Sequence, residues 1–424
     1  MVLKTIHRTF KLDHGNGEDK NASFLIAEMF WASFLGSAAS FGAAFALRLG
    51  ASNADIGLLS SIPSLLVILV ALPAGRFIMG RHNPKKWIVA SLAVHRASFT
   101  LIVLLPFVIG FGLPVGTISV WIFILIGIPA HFFNIGFFSL LADVVSEERR
   151  ATVFSARAIV NNAASAVLIF VFGVWLKEAR YPVNYQVMFG VGILTSFISI
   201  QYLAKIVVPH RPPPTASRLS LFEEVRKLRV ALLENAGFRS IVRNTFIQAF
   251  LLWTAGPLFI LYYIKTCGAD EGWLGVNGTV SGLVTIASYV FWRRWMHRFG
   301  ESTTLKITMV LASTFPLLVG LSPSLVLILF ANALNAFANA GVSLSHTNTL
   351  LKVMPENSRT EYAAYWSLLM NAGACFGPMV GVQLSAWFGL GPTLVICGVI
   401  STLGALSFTF WPVRVPVKDP RQLM

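Results

Sequence analysis

The sequence predicts an all-α polytopic membrane protein, with twelve transmembrane helices in two pseudo-symmetric six-helix bundles. Three observations carry this: a chain poor in charge, apolar stretches of spanning length, and a weak internal repeat. Of 424 residues 55% are apolar and 12% charged, whereas a soluble domain carries about 25% charged residues to cover its surface. Half that charge density cannot solvate a water-exposed surface. A soluble enzyme, a disordered chain and a disulfide-stapled secreted domain are therefore excluded.

A helix needs roughly 20 mostly apolar residues to cross a bilayer. Twelve such stretches are read, at about 23–49, 54–79, 87–111, 115–142, 152–175, 185–208, 240–264, 272–296, 303–321, 324–350, 359–386 and 391–412. Pro63, Pro73, Pro129, Pro257 and Pro378 fall inside them, which membrane helices tolerate. With the N-terminus placed inside, 27 of the 33 lysines and arginines lie in inward segments and four in outward ones. That asymmetry is the positive-inside pattern, so both termini are expected to be cytoplasmic, in a cell (plasma or inner) membrane. The net charge of +15 then records orientation and implies no nucleic-acid partner.

Cys267, Cys375 and Cys397 are too scattered for a metal cluster or a disulfide framework. The first 22 residues are polar, with both signs of charge, and lack the apolar middle of a cleavable signal. The organisation read is a tail (1–22), a bundle (23–208), a linker (209–239), a second bundle (240–412) and a tail (413–424). The linker opens with Pro212-Pro213-Pro214, a stiff extended stretch. Leu219, Phe222, Val225, Leu228 and Leu232 follow at helical spacing between basic residues. The linker reads either as a basic amphipathic helix on the inner membrane surface or as a solvated charged helix.

The halves resemble each other. Gly50-Ala51, Gly57 and Arg76 recur as Gly268-Ala269, Gly275 and Arg294. Leu141, Val144, Glu147, Arg150 and Asn162 recur as Leu350, Val353, Glu356, Arg359 and Asn371. Duplicated six-span halves mark transporters that rock about a central site.

The basic loop after span 2, Gly75-Arg76-Phe77-Ile78-Met79-Gly80-Arg81-His82-Asn83-Pro84-Lys85-Lys86, has an echo at Arg293-Arg294-Trp295-Met296-His297-Arg298-Phe299-Gly300. The loop after span 4, Asp143-Val144-Val145-Ser146-Glu147-Glu148-Arg149-Arg150, has one at Met354-Pro355-Glu356-Asn357-Ser358-Arg359. On these loops the chain resembles the transporters of the major facilitator superfamily over nearly its whole length. The resemblance implies that the loops join neighbouring helices on the cytoplasmic face and latch the outward-facing state. Candidate gating residues are then Gly75, Arg76, Arg81, Lys85, Asp143, Glu147, Arg150, Arg294, Glu356 and Arg359. Met79 stands where the family usually carries an aspartate, so the acidic half of a charge latch is missing there.

An ionisable side chain at mid-helix costs at least ~2.5 kcal/mol to insert, so each one within a span is a candidate for function. Glu28 in span 1 and Arg157 in span 5 lie at similar depth, roughly 8 Å in. They read as a proton or substrate switch, or as a structural ion pair, with snorkelling of Glu28 a third reading. Arg96 in span 3 lies near the midplane, where it either meets an anionic head group or caps backbone carbonyls. His131 in span 4 is a candidate proton carrier or a neutral hydrogen-bonded histidine. His95 is about 100° around the helix from Arg96, so the two cannot face one cavity and it is left out. On span 10, Asn332, Asn335, Asn339 and His346 share one face, which reads as a cavity lining or as interhelical glue. Asn244 and Gln248 on span 7 and Asn161 on span 5 complete the candidate pathway. The resemblance implies that spans 4 and 10 line the central cavity.

Phenylalanines crowd span 1 (Phe30, Phe34, Phe41, Phe45) and span 4 (Phe132, Phe133, Phe137, Phe138). A cavity with few charges and many aromatics suits an amphipathic or apolar solute. The expected function is secondary active transport of such a small-molecule substrate by alternating access, with protons as candidate coupling ion. The alternative is a non-pumping membrane protein that delivers a lipid or pigment. A monomer in the lipid bilayer is expected, without enzymatic activity, cofactor or metal: no glycine-rich phosphate loop and no metal-ligand spacing is present.

Overall fold

A computed structural model describes residues 17–81, 83–208 and 221–413. Among the described residues it holds no strand and twelve helices long and apolar enough to cross a membrane. Spans 1 to 6 are Gly17–Arg48, Asn53–Ala71, Pro84–Phe111, Val115–Leu141, Glu147–Glu178 and Val183–Lys205. Spans 7 to 12 are Ala236–Thr266, Glu271–Phe299, Glu301–Gly320, Leu325–Val353, Glu361–Phe388 and Leu390–Phe410. All five prolines named above lie inside helices. Span 7 closes in a π-helical turn, Tyr262–Thr266. Pro212 to Pro214, Leu219 and His82 lie outside the described residues, as does the side chain of Met79.

Span 1 begins six residues before its expected start, and the reason is electrostatic. Glu18 and Asp19 occupy its first turn, where the helix dipole favours negative charge. Glu18 accepts hydrogen bonds from the Ser146 amide (2.9 Å) and hydroxyl (2.8 Å), and Arg149 pairs with Asp19 at 2.5 Å.

The chain divides into two compact units. The first holds residues 1–216 together with 270–282. In it span 1 packs on spans 5 and 6, and span 4 on spans 2 and 3. One apolar cluster gathers Leu25, Ile78, Ile88, Leu92, Leu141 and Leu203 near the basic helix ends. Another gathers Phe45, Phe99, Ile102, Tyr185 and Phe189 towards the opposite ends. Backbones touch where glycine allows it: a methyl on Gly116 would sit 2.2 Å from the Ala51 nitrogen. Residues 270–282, which open span 8, are held in this unit by charge. Arg48 donates two hydrogen bonds to Glu271, at 2.6 and 2.7 Å, and the Tyr185 hydroxyl donates a third at 3.0 Å. Lys177 pairs with Asp270 at 3.2 Å. Burial raises the Asp270 carboxyl, but the Trp273 amide and Lys177 outweigh it and hold its pKa below the ordinary value.

The second unit holds residues 217–269 and 283–424. Span 7 packs on spans 11 and 12, and span 9 on spans 10 and 12. The linker helix, Leu221–Glu234, packs Leu228 and Ala231 against Phe238, Val353 and Tyr365. Leu228 and Ala231 are thus covered by protein within this unit, which neither sequence reading of the linker foresaw. The repeat has a backbone counterpart: Gly50 and Gly268 each follow the first span of a half at positive φ, +90° and +68°, a conformation costly for residues with a Cβ.

Gly381 of span 11 lies against span 7 so closely that a methyl there would sit 1.9 Å from the Thr254 carbonyl oxygen, whereas Gly256 has nothing within 4 Å. Gly381→Ala should therefore destabilise by about 1–3 kcal/mol or more through overpacking. Gly256→Ala should be neutral or stabilising by up to ~1 kcal/mol. Thermal unfolding in detergent compares the two, and equal effects would contradict the packing assigned here.

Candidate functional site

The interior of the first unit contains a cluster of ionisable side chains from spans 1, 3, 4 and 5. Glu28 is 2% exposed and Arg157 is 8% exposed. Arg157 Nη1 lies 2.9 Å from Glu28 Oε2 and also donates to the Leu25 carbonyl. Its Nη2 contacts the Met29 sulfur at 3.4 Å, and the guanidinium lies 4.5 Å from the centre of the Phe137 ring. Leu25, Glu28 and Met29 occupy adjoining turns of span 1, so one helix face presents carbonyl, carboxylate and thioether together. An arginine suits this site because its planar fork serves several acceptors at once.

Arg96 is 8% exposed. Its Nε is buried without a hydrogen-bond partner, and the group feels the field of Glu28. Glu28 is thus in contact with the Arg157 guanidinium and acts on that of Arg96 through its field alone. His95, left out by the sequence argument, belongs here too. Its Nδ1 is buried without a partner, it interacts electrostatically with both Arg96 and His131, and its ring meets Phe99 edge-on at 5.4 Å. The 100° offset from Arg96 is real, but span 3 packs on both span 4 and span 6. Two neighbours give it two inward faces, so adjacent residues both point inside. Asn161, one turn beyond Arg157, is half-buried.

In the second unit the predicted residues separate into two kinds. His346 shares a hydrogen bond of 2.9 Å between Nε2 and the Thr245 hydroxyl, and its ring lies 5.0 Å from that of Trp366. Asn339 donates to the Asn335 side chain at 2.7 Å and is itself exposed, while Asn332 is buried. These residues keep polar atoms along one side of span 10. Asn244 and Gln248 are bonded to neighbouring helices. Asn244 donates to the carbonyls of Trp411 (2.8 Å) and Ser407 (3.4 Å), and Gln248 donates to the Ser313 hydroxyl (2.9 Å). Both amides are buried ties from span 7 to spans 9 and 12, because an amide away from water must bond to what packs against it.

The loop residues sit at the basic ends of their spans. Lys85 donates to the carbonyls of Ala204 (2.6 Å) and Ile206 (2.5 Å), which lack helical partners at the end of span 6. Arg81 stacks on Phe77 and Trp87, 4.5 and 5.0 Å from the ring centres. Arg150 donates to the Val145 carbonyl at 3.1 Å. Arg76, Glu147 and Arg294 are exposed, and Gly75 and Asp143 half-buried. Arg359 pairs with Glu356 at 3.7 Å, one turn away.

The fold agrees with the comparisons. The family model described as "Major Facilitator Superfamily" matches residues 23–273 and 244–423. The chain belongs to the major facilitator superfamily. A curated relative, a "Na(+), Li(+), K(+)/H(+) antiporter" of Planococcus maritimus, is 22% identical over 288 residues, 64% of this chain and 68% of that protein. Among solved structures, an auto-inhibited POT family peptide transporter aligns at TM-score 0.69 and 12% identity, covering 92% or more of each chain (94% and 98%). A bacterial homolog of the human lysosomal transporter Spinster, inward-facing and unoccupied, aligns at TM-score 0.62 and 14% identity, covering 92% of this chain and 98% of that one. At such identities these structures share the superfamily fold and carry no substrate over.

Arg157→Gln would leave the Glu28 carboxylate buried without its closest cation, at an expected loss of about 3–5 kcal/mol. The double variant Glu28→Gln, Arg157→Gln removes both charges of the pair and should recover part of that loss. Detergent thermal unfolding of the wild type, single variants and double variant measures the coupling. A double variant no more stable than Arg157→Gln would show that the pair does not couple.

Proposed function

We propose that this superfamily member is a proton-coupled secondary transporter that moves a small amphipathic solute by alternating access, with Glu28 as the proton-binding group. The observation that carries the reading is the buried Glu28–Arg157 contact at 2.9 Å, with Arg96 under the field of the same carboxylate. Ionised, Glu28 is counter-ion to both guanidiniums. Protonated, it leaves two buried positive charges without a partner, and a low-dielectric interior opposes that strongly. An anionic group on the solute would then take the place of the carboxylate. Proton and solute would favour the same state, and binding one raises affinity for the other. Aromatic side chains on spans 1 and 4 would receive the apolar part. The 27-to-4 division of basic residues supports cytoplasmic termini. The basic loops, with Arg76, Asp143, Arg294 and Glu356, would gate that side.

The antiporter relative favours a second reading, exchange of a monovalent cation for protons. A metal cation bound at Glu28 would lie beside Arg157 and Arg96, and this charge balance disfavours it.

The test uses proteoliposomes of the full chain. Solutes that raise the unfolding temperature are assayed for uptake with and without an imposed pH gradient. The reading expects gradient-driven accumulation in the wild type and at least tenfold less in Glu28→Gln. Gradient-independent flux, or retained uphill transport in Glu28→Gln, contradicts it. In acid-loaded vesicles, Na+, Li+ or K+ should leave the internal pH unchanged, and alkalinisation by any of them would favour antiport.

A further inference from the structure

A second concentration of positive charge lies far along the chain from the Glu28 cluster, and nothing above uses it. At the basic ends of spans 8, 9 and 10 the second unit holds a cavity of ≈ 710 Å³. Arg293 and His297 come from the last turns of span 8, Lys306 from the start of span 9 and Lys352 from the end of span 10. Glu301 is the one carboxylate among the lining residues, and Lys352 holds it at 2.6 Å. Its charge is thereby matched, and Arg293 and Lys306 have no carboxylate in the lining to answer them. The wall also includes Gly300 and Ser302 at the opening of span 9. Gly300 has φ +82° and precedes the helix Glu301–Ser313 without a side-chain cap. Between these cations the lining also presents apolar side chains, Met296, Leu305, Leu344 and Phe408, together with Asn348 and Thr349.

Positive charge and hydrocarbon side by side in one recess match a molecule with an anionic head and an acyl chain. We propose that this cavity binds an anionic phospholipid of the leaflet facing the basic helix ends. Arg293 and Lys306 would hold its phosphate, with its upper acyl segment against Met296, Leu305 and Leu344. Basic recesses between membrane helices recognise lipid head groups in this way. The comparison with the first unit sharpens the assignment. There the loop after span 2 carries comparable charge, but Lys85 is committed to two carbonyls and Arg81 to two rings. In the second unit Arg293 and Lys306, at the ends of spans 8 and 9, line an open cavity.

The test adds phosphatidylglycerol, phosphatidylcholine or inorganic phosphate to the full-length protein in detergent. Retained lipid is read by native mass spectrometry, and the unfolding temperature is followed in parallel. Phosphatidylglycerol should be retained and stabilising, phosphatidylcholine much less so, and millimolar inorganic phosphate should not displace the lipid. Each basic contact is worth roughly fivefold in affinity, so Arg293→Gln with Lys306→Gln should lose roughly 25-fold. The charge-conserving pair Arg293→Lys with Lys306→Arg should retain binding and guards against a loss caused by misfolding. Equal retention of the two lipids, or undiminished phosphatidylglycerol binding in the neutral variant, overturns the proposal. Displacement by inorganic phosphate overturns it in favour of a free-anion site.

Discussion

A carboxylate cannot stay ionised in a hydrocarbon interior unless positive charge is held beside it, and the first unit is organised around meeting that demand for Glu28. Arg157 reaches it from span 5, lies on Phe137 of span 4, and bonds a carbonyl of span 1 itself. Arg96 adds span 3 through the field it shares with the same carboxylate. At the basic ends Asn21 exchanges two hydrogen bonds with the backbone of Val207, and Lys85 bonds the carbonyls at the end of span 6. The helices that surround Glu28 are thus fixed at two levels by polar contacts. Lipid supplies no hydrophobic force to hold helices together, so such contacts and close packing carry the specificity of association.

The two units share a plan and differ in what they bury. Gly50 and Gly268 make the same left-handed turn, and Val144 and Val353 are both buried at the matching span ends. The interior of the second unit has neutral partners where the first has charges: Thr245 with His346, Gln248 with Ser313, and Asn244 with the carbonyls of span 12 and its end. A transporter built this way would confine its proton chemistry to one half and leave the other to shape and hydrogen bonding. That division is part of the proposed function, and it follows from where Glu28, Arg96 and Arg157 happen to lie in the duplicated chain.

Much of this was legible in the residues because hydropathy and depth are nearly one-dimensional. Twelve apolar lengths show themselves as spans whatever packs against them. Residues at equal depth on neighbouring helices, such as Glu28 and Arg157, can be paired on paper. Direction around a helix was harder. Asn244 and Gln248 share a polar face, but nothing in their spacing says that spans 9 and 12 cover it. His95 was set aside by a rotation argument that holds for one cavity and fails for a helix with two inward neighbours. The early start of span 1 depended on Ser146 and Arg149, more than a hundred residues away, meeting Glu18 and Asp19. The linker helix announced its apolar face, and only the folded chain showed Val353 and Tyr365 beneath it.

The central claim is that Glu28 gains and loses a proton while remaining buried beside Arg157. Infrared difference spectroscopy of the reconstituted protein observes that carboxyl group directly as the pH is lowered. The account predicts a carboxylic-acid C=O stretch that grows on acidification, is absent in Glu28→Gln, and is strengthened when a transported solute is bound. An acid-induced carboxyl band that survives unchanged in Glu28→Gln would place the proton on another residue and contradict it.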